Sequence, residues 1–144
     1  MMTILRNILA IVAGVVVGGV VNMSLVVVGP SMIPPPAGVD VSNAESLRAG
    51  IHLFEARHFV FPFLAHALGT LAGALTAFLV AGSHGTAFSF VVGAVFLAGG
   101  IAASFMIPAP AWFIALDLAA AYLPMAWMGA LTGRRLKPGA TASS

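Results

Sequence analysis

The chain has 144 residues, 60% of them hydrophobic and 7% charged, with a formal net charge of +2. Soluble domains carry roughly a quarter of their residues as charges, so this composition excludes an ordinary soluble fold. The absence of cysteine excludes disulfides, thiolate metal sites and cysteine nucleophiles. The six basic residues are scattered rather than interleaved with aromatics, so nucleic acid is not an expected partner.

A helix needs about 20 apolar residues to cross a bilayer. Four runs meet that length, 8–29, 58–82, 87–107 and 111–133. They predict an all-α integral membrane protein, a single domain over 1–144, in which four transmembrane helices form a bundle in lipid. The first run is longer than the ~7–15 residues of a signal-peptide core and no A-x-A site follows it, so it is expected to stay as the first membrane helix. Ala10, Gly14, Gly18 and then Asn22 recur every four residues along it. Small residues at that spacing let helix backbones approach, which marks a packing face.

The loop 30–57 carries its own helix signal. Ser42, Asn43, Ala44 and Glu45 fit a capping box with Ser42 as the cap. Leu47, Ile51 and Phe54 then fall on one helical face, and Glu45, Arg48, His52 and Glu55 on another. With His58 these polar residues are candidates for a lid or gate, and Pro62 for a kink into the second run. His52, Glu55 and His58 also invite a metal reading. On a continuous helix, however, His58 is turned about 120° from His52, poorer than the i, i+4 spacing of helical metal sites. A solvated face is expected there, with no metal and no cofactor.

The second run repeats the small-residue spacing at Ala65, Gly69, Gly73 and Ala77, and carries His66. The third has Ala94, Ala98 and Ala102 on its expected packing side, leaving Phe88, Phe90, Phe96 and Phe105 for lipid. The fourth holds Trp112 as an interfacial anchor, then Asp117, then Pro124, which frees a backbone carbonyl near Ala120. The tail 136–144 reads as disordered.

The pattern M-I-P-x-P-A occurs at 32–37 and again at 106–111, each copy just after an odd-numbered run. A parallel duplication of a two-helix hairpin would produce it. Asn22, His66 and Asp117 all fall ~9–12 Å below the same boundary at 1.5 Å per residue. An intramembrane carboxylate costs ~2.5–3.5 kcal/mol on insertion scales, so Asp117 calls for a function or a partner. His66 is the available partner, because Lys and Arg are absent from all four runs.

Arg6, Arg134, Arg135 and Lys137 flank the outer runs, against Arg48 and Arg57 in the first loop. That split places both termini in the cytoplasm. In size and span count the chain is similar to small bacterial inner-membrane proteins, which implies a cytoplasmic membrane. No P-loop, dinucleotide fingerprint or nucleophile elbow is present, and enzymatic function has no support. The expected function is a transport- or channel-type bundle moving a proton, small cation or small polar solute through a site lined by Asn22, His66 and Asp117. Its partners would be lipid and further copies of itself or other membrane proteins. The alternatives are an accessory subunit of a larger membrane complex and a metal- or haem-binding redox protein.

Overall fold

The computed structural model describes residues 1–138. The chain runs α1 (Met2–Met32), α2 (Ala44–Gly50), α3 (Val60–Val80), α4 (Gly85–Met106), α5 (Ala111–Ala120) and α6 (Leu123–Leu136), with 3-10 turns at Ile51–Leu53 and Ala56–Phe59. No strand occurs among the described residues. Four helical stretches are long and apolar enough to cross a membrane: Met2–Met32, Ala56–Val80, Gly85–Met106 and Ala111–Leu136. Of the tail expected to be disordered, Leu136 belongs to α6, and 139–144 lie outside the described residues.

Proline sets most of the helix ends. α1 and α4 both stop at Met-Ile-Pro, where Ile33 (φ −126°, ψ 92°) and Ile107 (φ −123°, ψ 106°) are extended. A residue before proline is sterically driven out of the helical region. The fourth run departs from expectation because it is two helices. α5 ends at Ala120, and Tyr122 (φ −117°, ψ −82°) turns the chain before α6 begins. Pro124 cannot donate to the Ala120 carbonyl and its ring would clash with it, yet Pro is tolerated in the first turn of a new helix. Pro62 likewise does not kink α3. It sits in the first turn, where backbone N–H groups have no intrahelical partner to lose.

The cap of α2 also differs from expectation. Asn43, not Ser42, is the N-cap: its Oδ1 accepts the N–H of Glu45 (2.9 Å) and of Ser46 (3.0 Å). Ser42 instead donates its N–H and hydroxyl to Asp40 Oδ1, at 2.9 and 2.6 Å. One asparagine here satisfies two of the orphan donors that open the helix.

α1 and α3 meet backbone to backbone. A Cβ added at Gly14 would lie 2.7 Å from the Gly73 carbonyl oxygen, and one at Gly18 would lie 2.6 Å from that of Gly69. The two small-residue rows therefore face each other. α6 packs on α3 in the same manner, Gly129 against Ala74 and Gly133 against Phe78. α4 does not follow its expected face. Ala94, Ala98 and Ala102 are exposed, while Ser89, Val92 and Gly93 are buried and Phe96 turns inward onto Ala67, Ala121 and Tyr122. The fully buried Ser89 hydroxyl donates to the Ala74 carbonyl at 2.8 Å, tying α4 to α3. That bond and the contact of Gly93 with Ala126 fix the rotation of α4 about its axis.

Candidate functional site

α3 presents His66 toward α5 and α5 presents Asp117 toward α3. His66 Nδ1 lies 2.9 Å from both Asp117 Oδ1 and Oδ2. The hydroxyl of Tyr122 donates to Oδ2 at 2.9 Å, and its ring stacks with the imidazole at 5.7 Å between centroids. The turn between α5 and α6 is what aims Tyr122 back at Asp117, five residues earlier. Gly100 on α4 provides the space, because a Cβ there would collide with the Tyr122 hydroxyl. The carboxylate is 6% exposed and the imidazole 26%. Asp117 thus accepts two hydrogen bonds in an apolar setting where an unpaired carboxylate would be costly.

His66 and Asp117 form the floor of a cavity of about 230 Å³, and Tyr122 supports the carboxylate from behind. Its walls are apolar, from Phe59, Pro62, Ile107, Phe113 and Ile114 among others. Leu47, Ile51 and Phe54, the apolar face of the loop segment, roof it. Arg48, on the opposite side of α2, donates from Nε to the Met106 carbonyl at 2.9 Å and fixes the roof to the end of α4. That bond also occupies one of the carbonyls a helix leaves open at its C-terminus.

With Nδ1–H donating to the carboxylate, the other imidazole nitrogen, Nε2, is the acceptor left to the cavity. It has no protein partner among the described residues. His66 can take up and release a proton there without giving up its bond to Asp117.

No protein family, curated protein or solved structure matches this chain. The chemistry of the site rests on its own geometry.

The remaining candidates divide. Asn22 does not reach His66 or Asp117; its side chain lies against Gly69, one turn further along α3, and makes no hydrogen bond among the described residues. His58 is buried, not solvated, and lines the cavity and two adjoining hollows of about 490 and 150 Å³. Its Nδ1 accepts the Glu55 N–H at 2.9 Å. The expected rotation from His52 assumed a continuous helix, but the chain is extended at Phe54 and Glu55, and this turns His58 inward while His52 stays exposed. Glu55 pairs with Arg57 at 3.0 Å in solvent, and Glu45 is exposed. No three of the His, Asp and Glu side chains gather as a metal site among the described residues.

Sequence reasoning did not place Tyr122 or Gly100 at the site. Tyr122 is 2% exposed. The available signal was a lone tyrosine beside a proline in an apolar run, a polar group that needs a partner wherever it is buried. Thr70, one turn along α3 from His66, is fully buried and its hydroxyl has no partner among the described residues.

Proposed function

We propose that the four long apolar helices cross the membrane as a bundle and that the chain is a transport-type protein. A proton, small cation or small polar solute would enter from the outer side and engage the His66–Asp117 pair. The observation that carries this reading is the carboxylate–imidazole pair at the floor of a cavity, with the Tyr122 phenol bonded to the carboxylate behind it. A carboxylate at membrane depth costs several kcal/mol unless it is used or partnered, and a purely packing role would not need a cavity beside it. The tight glycine and alanine contacts of α1, α3 and α6 close the opposite half, which suits a site reached from one side at a time. Among the candidate cargoes the proton fits the free Nε2 most directly. Asn22 lies on the α1 side of this pathway, one turn from the cavity-lining Val26, and α2 with Arg48 is its lid.

Both termini are assigned to the cytoplasmic side of an inner-type membrane. Arg6 and Lys137 donate to the carbonyls of Val80, Leu79 and Ala81 at the far end of α3 from the cavity. They gather at one end of the bundle, with Arg134 beside Thr86, which supports assigning them to one face of the membrane. The two Met-Ile-Pro helix ends support the hairpin duplication, with α1–α3 and α4–α5–α6 as its halves. The exposed row Ala94, Ala98 and Ala102 is the face assigned to association with a second copy or another membrane chain. That row also supports the alternative of an accessory subunit. Native mass measurement after gentle extraction separates the two: a monodisperse homo-oligomer favours transport, and stoichiometric foreign chains favour the accessory role.

Purified protein in liposomes is expected to carry a proton flux that Asp117→Asn reduces at least tenfold. Equal flux in that variant removes the carboxylate from the mechanism.

A further inference from the structure

We propose that the cavity under α2 binds a small uncharged organic molecule with an apolar body and one hydroxyl donor, an alkylphenol being the simplest example, with the hydroxyl on His66 Nε2. This goes beyond the transport reading and does not depend on it.

The size comes first. The cavity holds about 230 Å³, and an apolar cavity of about 150 Å³ already accepts benzene. One ring with a short substituent therefore fits. Phe59 and Phe113 form one wall, with their rings tilted at 35° and 4.6 Å between centroids. Aromatic faces of this kind take a further ring in offset or edge-on contact. Leu47, Ile51 and Phe54 close over it from the roof.

The lining offers little to an ion held there stably. A metal cation needs several oxygen ligands, and the one carboxylate here already accepts from His66 and Tyr122. An anion needs donors, and no Lys or Arg lines the cavity. The polar wall residue Ser104 spends its hydroxyl on the Ile101 carbonyl at 2.7 Å. Two imidazole nitrogens remain unmet among the described residues: Nε2 of His66, an acceptor held in place by Asp117, and Nε2 of His58, a donor because its Nδ1 accepts the Glu55 N–H. A ligand hydroxyl satisfies the His66 acceptor, and an ether of the same shape does not. A site built to pair a hydroxyl discriminates strongly against the analogue that lacks one, because its own polar group is then left unpaired.

The test uses the full chain, purified in detergent and labelled with 15N-histidine. It is titrated calorimetrically with 4-ethylphenol, its O-methyl ether 4-ethylanisole, and the cationic 4-ethylbenzylamine, with empty micelles as the blank. The phenol is expected to saturate one site per chain, at least tenfold more tightly than the ether or the amine. It alone should shift the Nε2 resonance of His66, and the preference over the ether should vanish in His66→Phe. If His66→Phe does not fold, the Nε2 resonance in the unmodified chain decides. Equal affinity for phenol and ether, tighter binding of the amine, or an unmoved Nε2 resonance overturns the proposal. Asp117-dependent flux without phenol binding would remove this inference and leave the transport reading. Phenol binding without flux would do the reverse.

Discussion

Asp117 makes its two side-chain contacts from one position, to His66 on α3 and to Tyr122 beyond the end of its own helix. If these contacts hold the carboxylate in place, the energies of the partners are coupled. His66→Leu alone leaves a buried carboxylate short of a donor and is expected to cost about 3–5 kcal/mol; Asp117→Leu alone leaves a partly exposed imidazole short of an acceptor and is expected to cost less. The double variant His66→Leu/Asp117→Leu should cost less than the sum by about 0.5–3 kcal/mol in a thermal-unfolding cycle in detergent. Strict additivity would show that the pair contributes nothing jointly. The residue types and common depth of His66 and Asp117 were legible in the sequence because intramembrane polar groups are rare. Tyr122 was not, because its approach depends on the turn that Pro124 forces. Asn22 was expected at the same level, but it lies against Gly69, one turn further along α3, and spacing along one helix carries no information about azimuth.

Among the elements, α1 and α3 show most clearly what local sequence determines. Their four-residue rows of glycine and alanine predicted a contact face, and the backbones meet there. A Cβ at Gly18 would lie 2.6 Å from the Gly69 carbonyl oxygen and 2.7 Å from the Phe96 ring, whereas one at Gly19 meets nothing within 4 Å. Gly18→Ala is expected to destabilise the protein by about 1–3 kcal/mol through overpacking. Gly19→Ala, adjacent in sequence, should be neutral or stabilising by up to about 1 kcal/mol from helix propensity. Thermal unfolding of the two variants checks the pair. α4 turns a different row inward within the chain, because Ser89 and Gly93, beside the alanine row, are the residues that meet α3 and α6. In the loop, the Ser42 donors hold the Asp40 carboxyl below the usual carboxylate range. A depressed value contributes order that is present above the ordinary range, near pH 4, and lost as pH falls through the lowered one. Amide exchange over 40–47 should therefore be slow at pH 5 relative to the free-chain rate, and that protection should fall toward pH 2. Unchanged protection would show that Asp40 does not order the turn.

At the scale of the whole molecule, basic residues predominate at one end and charges of both signs mix at the other. Arg6, Arg134 and Lys137 gather at the far end of α3, whereas Asp40, Glu45 and Glu55 share the loop around the roof with Arg48 and Arg57. A reporter fused at Ser144 is expected to be active only when it requires the cytoplasm, and one inserted at Gly38 only when it requires the outside. Gly38 suits an insertion because its φ of +83° marks a turn and a Cβ there meets nothing within 4 Å. Activity of the Ser144 fusion on the outer side would overturn either the orientation or the span count. The count of long apolar helices was legible because it needs only composition and length. The division of the fourth into α5 and α6 was not, since a proline in an apolar run signals a loosened turn as readily as a full break.

The roof has a consequence for timing. It is a two-turn helix whose one side-chain bond to the helices beneath it, among the described residues, is Arg48 to the Met106 carbonyl, while the floor is anchored in α3 and α5. Short segments with few buried contacts open independently of the rest of a protein, at a free energy well below global unfolding. On the transport reading, entry to the cavity is paced by the opening of α2, and retention by the groups that line it. Arg48 does not line the cavity, so a substitution there can retune the rate of entry while leaving the strength of holding alone, whereas one at Leu47 would change both.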